Sequence, residues 1–312
     1  MPGETIILIG ASGQIGAELT MLLRKNYGES NVIATDIKKP ATELLESGPF
    51  EELNVLDKSR LAELVHKYKP VQIYNMAAML SATGEKLPQK AWQLNMEGLI
   101  NTLEIAHENK IKKVYWPSSI AAFGPTTPKE NTPQITIMEP NTIYGISKLA
   151  GERWCDWYFL KYGLDVRSIR YPGIISYKTE PGGGTTDYAV DIYFKAKQKG
   201  KYECYLDENT LLPMVYMPDA IRATVELMEA PLEKIKIRSS YNLSAMSFSP
   251  KLVAESIKKY LPHFEITYNI DYRQKIAETW PGSIDDSEAR KDWGWEFEYD
   301  LDGMTRDMLE NV

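Results

Sequence analysis

Apolar residues in the first half of the chain fall into short runs separated by stretches of helical period. The strand-like runs lie near residues 5–9, 31–36, 50–54, 71–77, 112–118 and 165–170, and the helical patterns near 14–26, 58–69, 88–109 and 142–162. Short apolar runs bounded by turn residues mark strands buried on both faces. Their alternation with helices predicts an α/β architecture, a doubly wound parallel sheet with helices on each face. Beyond Tyr171-Pro172-Gly173 the alternation loosens. Met214 to Met217 resembles one further strand, Asp219 the N-cap of a helix over 220–230, and 249–260 another helix. The irregular, aromatic-rich sequence around Trp280, Trp293 and Trp295 predicts a smaller, mixed C-terminal cap.

The first strand runs into Gly10-Ala11-Ser12-Gly13-Gln14-Ile15-Gly16 and then a helix carrying Leu19, Leu22 and Leu23. In a strand–turn–helix of this kind Gly10 permits the sharp turn and Gly13 lets the backbone approach a pyrophosphate. Gly16 allows close helix–strand packing, and the N–H groups at Gln14 and Ile15 open the helix towards the anion. This is the dinucleotide pattern of a Rossmann fold. The second strand ends at Asp36, twenty residues after Gly16, where such folds set a carboxylate against the adenosine ribose, with Ile37 beside it. A carboxylate there repels a 2′-phosphate and favours NAD over NADP, although Lys38-Lys39 offers a phosphate partner. Leu56 and Asp57, after the third strand, are expected to border the adenine, and Asp57 also reads as an ordinary helix N-cap. The expected division is a nucleotide-binding domain of residues 1–175 plus about 214–245, and a substrate-binding cap of about 176–213 plus 246–312.

Tyr144 and Lys148 stand one helical turn apart in Tyr144-Gly145-Ile146-Ser147-Lys148, downstream of the Ser118-Ser119 pair. Positions i and i+4 share a helix face, so the lysine ammonium is expected beside the phenol, favouring its anion. Lowering a tyrosine pKa from ~10 to about 7 takes roughly 4 kcal/mol, within reach of a lysine and an oxidised nicotinamide acting together. Tyr144 then accepts a proton from an alcohol while hydride leaves the same carbon.

The 312 residues are 43% hydrophobic, enough for a sizeable core, and carry a formal charge of −7 without a dense basic block, which argues against nucleic acid or an anionic membrane as partner. No apolar run approaches the roughly 18 residues of a membrane span, so a cytoplasmic location is expected. Cys155 and Cys204 suggest no disulfide scaffold, and His66, His107 and His263 are scattered, which argues against a zinc mechanism. Helices 88–109 and 142–162 carry apolar residues beyond one narrow stripe. Burial against a partner subunit explains this, as a homodimer, and so does a broad face buried within one chain.

Taken together, these motifs resemble the extended short-chain dehydrogenase/reductase family, over nearly the whole chain. The resemblance implies that Gly10, Gly13 and Gly16 form the pyrophosphate loop, Asp36 is the ribose acid, and Ala77-Ala78 forms the turn under the nicotinamide side. It also implies that Ser119, Tyr144 and Lys148 form the catalytic triad. Ser119-Ile120-Ala121-Ala122-Phe123-Gly124 matches the family's strand-end serine followed by an aromatic–glycine pair, which favours Ser119, with Ser118 as the alternative. Five local runs are similar to the short-chain L-threonine 3-dehydrogenases within that family. They are Ala77 to Glu85, Pro117 to Pro125, Arg170 to Ser176, Gly183 to Ala189, and Trp280-Pro281 with the stretch from Asp285 to Trp295. This resemblance implies oxidation of the L-threonine 3-hydroxyl by NAD. Tyr171, Pro172 and Ile174 join the cofactor site, and Ser81, Thr185, Thr186 and Trp280 join Ser119 and Tyr144 around the substrate. The glycine–threonine stretch 182–186 reads either as a lid or as a surface loop. Two rivals remain: a nucleotide-sugar epimerase or dehydratase, and an NAD(P)-sensing regulator without catalysis. The first is disfavoured by the absence of arginine between Tyr171 and Ile221, the second by the intact Tyr/Lys pair.

Overall fold

The structure, a computed structural model, describes residues 4–178 and 184–312; Gly182 and Gly183 of the glycine–threonine stretch lie outside them. Six strands form the central sheet: β1 (Ile6–Ile9), β2 (Val32–Asp36), β3 (Phe50–Glu52), β4 (Gln72–Asn75), β5 (Lys113–Tyr115) and β6 (Asp165–Arg167). All pairings are parallel, in the order β3-β2-β1-β4-β5-β6, so the chain reverses direction across the sheet between β1 and β4. This is the doubly wound arrangement, whose crevice at the reversal lies beyond the carboxyl ends of the strands.

The two-residue period of β1 sorts its side chains into two layers. Ile6 and Leu8 join Leu19, Leu23, Ala220, Ala223 and Leu227 of helices Gln14–Tyr27 and Met217–Glu229. Ile7 and Ile9 join Leu61, Leu64, Leu99, Leu103 and Cys155 of helices Lys58–Tyr68, Gly98–Glu108 and Ile143–Tyr162 on the other face. A third core unites helices Tyr188–Lys199, Pro250–Tyr260 and Leu301–Asn311.

Several elements differ from the hydrophobic pattern. The runs 112–118 and 165–170 each break once, because the chain leaves the central sheet at buried Trp116 and Ser168. Their continuations, Ser118–Ser119 and Ile169–Tyr171, pair with each other, and Ile169–Tyr171 also pairs with Tyr241–Asn242, in a separate small sheet. A further sheet joins Gly173–Ile175, Leu212–Tyr216 and Met246–Phe248. The helical stretch 88–109 contains a wider turn of π type at Gln93–Glu97 between Pro88–Trp92 and Gly98–Glu108. Such turns re-aim a side chain within a helix. Here the turn carries Asn95, whose amide accepts from Met79 N–H (2.8 Å) and donates to the Met79 carbonyl and Ser147 Oγ. That is a structural clamp between two segments of the site.

Asp219 is not an N-cap. The helix begins at Met217 with Pro218 in its first turn, where a missing N–H and fixed φ suit a helix start. Asp219 is instead fully buried within that turn. Its carboxylate accepts the Glu298 and Tyr299 N–H groups and pairs with Arg222 at 2.7 Å, holding the C-terminal segment to the sheet domain.

Candidate active site

At the end of β1, Gly10 adopts φ 87°, a left-handed conformation, and its N–H donates to Thr35 O at the end of β2. A Cβ on Gly10 would lie 2.8 Å from Ala77 N, and one on Gly16 only 2.0 Å from Gly10 O. Both glycines are therefore demanded by the protein's own packing. Gly13 differs: the nearest atom to a Cβ there is Gly10 O at 3.3 Å, and the residue lines both halves of the cleft. The helix starting at Gln14 has no side-chain cap and no acidic residue in its first turn, so its positive end stands ready for an anion. These features fit a dinucleotide pyrophosphate.

In the groove on the β2 side, Asp36 accepts Ser12 N–H on one carboxylate oxygen and Lys38 N–H on the other, both at 2.9 Å. Ile37, Ala77 and Ala78 line the same groove. Leu56 and Asp57 do not. β3 ends at Glu52, two residues before the expected limit, so Leu53, Asn54 and Val55 face the groove, and Asp57 caps the next helix by accepting Arg60 N–H at 2.9 Å. Those three residues, with Met76, follow strand ends at the crevice and were accessible to that rule; Leu94, in the π-type turn, carries no local signal.

Ser119 and Tyr144 are brought together by close backbone contact. A Cβ on Gly145 would lie 2.1 Å from Ala121 O, so the first turn of helix Ile143–Tyr162 rests directly on the turn that follows Ser119. Thr142 caps this helix by accepting Gly145 N–H, and the Glu85 carboxylate accepts Ile143 N–H at 2.7 Å. The neighbouring serines then separate. Ser118 Oγ donates to Glu152 at 2.6 Å, in a buried cluster where Glu152 also pairs with Arg170. Ser119 Oγ instead accepts Ala121 N–H at 3.2 Å and lines the cleft with Tyr144, where its hydroxyl favours the phenol's anion.

Burial outweighs the influence of Ser119 and pushes the Tyr144 pKa up to about 12. The same desolvation pulls the buried Lys148 ammonium down to about 7. Lys148 Nζ is held by the Pro117 carbonyl and lies 4.3 Å from the Trp116 ring centroid, against 5.5 Å for the Tyr144 ring. The expected direct stabilisation of the phenolate by Lys148 is therefore corrected. In the protein alone burial dominates, and the lysine is anchored to a carbonyl.

Lys148, Ser119 and Tyr144 line one cleft with Gln14, Ile15, Ala78, Tyr171, Pro172 and Ile174. Ser81, Thr185, Thr186 and Trp280 line it as well. Thr185 is 1% exposed, yet its Oγ1 has no hydrogen-bond partner among the described residues. A buried hydroxyl left unpaired is costly, and in a cleft wall it is open to a partner from the cleft. Leu80 and Pro117 also line the cleft, although the sequence assigns neither of them a role. Among the described residues no group of three or more His, Cys, Asp or Glu is placed to hold a metal ion, and no helix is long and apolar enough to cross a membrane.

A doubly wound sheet, a glycine loop at its crevice and a serine–tyrosine–lysine cleft define an extended short-chain dehydrogenase/reductase. The chain belongs to the NAD dependent epimerase/dehydratase family, whose model matches residues 6–244. It is 53% identical to an uncharacterized epimerase/dehydratase of Staphylococcus saprophyticus over 99% of this chain and 97% of that one. Among solved structures it is similar to the holo form of a GalE-like L-threonine dehydrogenase from Cupriavidus necator, at 55% identity and TM-score 0.96, covering 98% and 99% of the two chains. L-threonine dehydrogenase from Clostridium difficile gives 52% and 0.97, with 99% and 97% covered. A monomeric L-threonine 3-dehydrogenase from a metagenome gives 48% and 0.95, with 98% of each chain covered.

Proposed function

We propose that this protein is an NAD-dependent L-threonine 3-dehydrogenase that oxidises the 3-hydroxyl to give 2-amino-3-oxobutanoate. The observation that carries the reading is the composition of the substrate side of the cleft. Its lining is made of small hydroxyl residues, Ser81, Ser119, Thr185 and Thr186, beside the apolar face of Trp280. Lys148 is the one cationic side chain among the described lining residues. A nucleotide sugar brings a second pyrophosphate, ordinarily met by arginine forks. A small zwitterion instead needs a few hydroxyl and backbone partners in a confined pocket, and its methyl group needs an apolar wall. The similarity to L-threonine dehydrogenases over 98–99% of the chain supports the same reading.

NAD bound along the glycine loop supplies the hydride acceptor. Tyr144 takes the hydroxyl proton, Ser119 donates a hydrogen bond to the reacting oxygen, and Lys148 holds the cofactor ribose. Gly10, Gly13, Gln14, Ile15 and Gly16 hold the pyrophosphate, and Asp36 the adenosine ribose. The test is absorbance at 340 nm with NAD and a panel containing L-threonine, L-serine and UDP-glucose. Reduction of NAD with L-threonine is expected. Turnover of UDP-glucose alone would move the assignment to an epimerase.

The working unit is a homodimer in this reading. Trp92, Trp154, Trp157, Leu160 and Tyr162 are 37–74% exposed on the two long helices, and Trp154, Trp157, Tyr158 and Tyr162 pack ring against ring. A second copy of the chain covering this aromatic face would bury it. Sedimentation equilibrium at micromolar concentration is expected to give twice the chain mass, and a Trp157→Glu variant the single mass.

A further inference from the structure

Thr185 lines the cleft on a turn that is fastened through its own backbone. Within that turn Gly184 N–H donates to the Asp187 carboxylate at 2.7 Å, and Asp187 N–H returns to Gly184 O at 3.3 Å. The outward-facing carbonyls of Gly184 and Thr185 are met by one group, the Tyr205 hydroxyl, at 3.2 and 3.3 Å. Two adjacent carbonyls sharing one donor fix the orientation of the peptide between them, and with it the direction of the Thr185 side chain. That side chain carries the buried Oγ1 without a partner among the described residues.

Tyr205 is itself held. The Arg273 guanidinium stacks on its ring, with Cζ 3.1 Å from the centroid, and pairs with Asp271 at 2.6 Å. Asp271 N–H donates to Tyr205 O, and Tyr188 meets the Tyr205 ring edge-on. A guanidinium on an aromatic face restricts both groups. Burial raises the Tyr205 pKa, so the hydroxyl remains a donor across the working pH range. Asp271, Arg273, Tyr205 and the Gly184–Thr185 peptide therefore form one column ending at the cleft wall.

The geometry points to Tyr205, braced by Arg273, as a positioning residue that aims the Thr185 hydroxyl at the bound amino acid and so sets its affinity. This rests on the L-threonine reading above. Tyr205 is not among the residues that line the cleft, so loss of its hydroxyl weakens substrate binding through Thr185 while the Ser119–Tyr144–Lys148 machinery stays in place.

The test compares Tyr205→Phe, Thr185→Val and the double variant, using L-threonine and NAD. Loss of one hydrogen bond corresponds to roughly a five-fold effect. Tyr205→Phe is expected to raise KM for L-threonine about five-fold or more, with kcat within about two-fold and NAD affinity unchanged. The double variant is expected to be no worse than Thr185→Val alone, because both changes remove the same contact. An unchanged KM, a fall in kcat with no change in KM, or effects that multiply in the double variant would overturn the assignment. Should the wild-type protein leave L-threonine unoxidised, the substrate reading fails independently. Hydrogen exchange of the unliganded proteins then decides the role of Tyr205: faster exchange at the 184–187 amides in Tyr205→Phe supports it, and unchanged exchange refutes it.

Discussion

Lys148 Nζ donates to the carbonyl oxygen of Pro117 at 2.5 Å, tying the helix that carries Tyr144 to the segment that carries Ser119. Its burial has a consequence for stability. The Lys148 pKa falls from 10.5 unfolded to about 7 folded. Between those values the unfolded chain holds a proton that the folded chain lacks, so stability rises with pH over this window. Lys148→Met removes the group and should flatten that rise while abolishing turnover. Urea midpoints at pH 7 and pH 9.5 check it, and identical pH slopes for the two proteins would refute the buried-ammonium account.

Tyr144→Phe should reduce turnover by at least about 10²-fold, the usual worth of a positioned base, with NAD affinity within a few-fold. In the wild type, activity should climb with pH into the alkaline range, because burial places the free phenol at about 12 and the reactive form is its anion. The rising limb of kcat, which reports the liganded enzyme, should lie at lower pH than that of kcat/KM, since the bound nicotinamide adds positive charge. A flat profile between pH 6 and 10 in single-turnover measurements would rule out Tyr144 as the base.

The two serines should behave differently. Ser118→Ala removes a buried hydrogen bond to Glu152 and should lower stability by about 1 kcal/mol, with turnover retained. Ser119→Ala should leave stability near the wild-type value and reduce kcat by ten-fold or more. Rates and denaturation midpoints measured on both variants check this, and a larger kcat loss in Ser118→Ala would reverse the assignment.

Asp36→Ala should weaken NAD by ten-fold or more, since charge-assisted hydrogen bonds contribute about 1.5–3 kcal/mol. It should also narrow the gap to NADP by removing a negative charge. Titration calorimetry with both cofactors measures each effect. Unchanged preference would mean that the carboxylate, already accepting Ser12 and Lys38 N–H groups, serves only the loop.

Ser81→Ala and Thr186→Ala should each lower kcat/KM for L-threonine by roughly ten-fold, or about 1.4 kcal/mol, without affecting NAD binding. Thr186 also packs near Gly173, where a Cβ would come within 2.9 Å of the Thr186 Cβ, so thermal midpoints are needed alongside the rates. A matching loss of NAD affinity would indicate damage to the fold and not a lost substrate contact.

The sequence by itself determined the parallel sheet, because β1 and the first part of β2 are buried on both faces and so appear as apolar runs between helical periods. It also determined the glycine loop and the shared face of Tyr144 and Lys148, since turn sterics and the 3.6-residue repeat are local properties. Tertiary structure decided what depends on packing between distant segments. Asp219 has the composition of a cap but lies buried against Glu298 and Tyr299, about 80 residues away. Asp57, beyond a strand that ends already at Glu52, caps its helix and is not part of the groove lining. Between Ser118 and Ser119 the motif favoured the second, and the position of Glu152, 34 residues beyond Ser118, supplies the physical reason by engaging the first. The ionisation of the pair at 144 and 148 follows the same rule. Their spacing places the two groups on one face, while the desolvation that drives their pKa values apart is a property of everything packed around them.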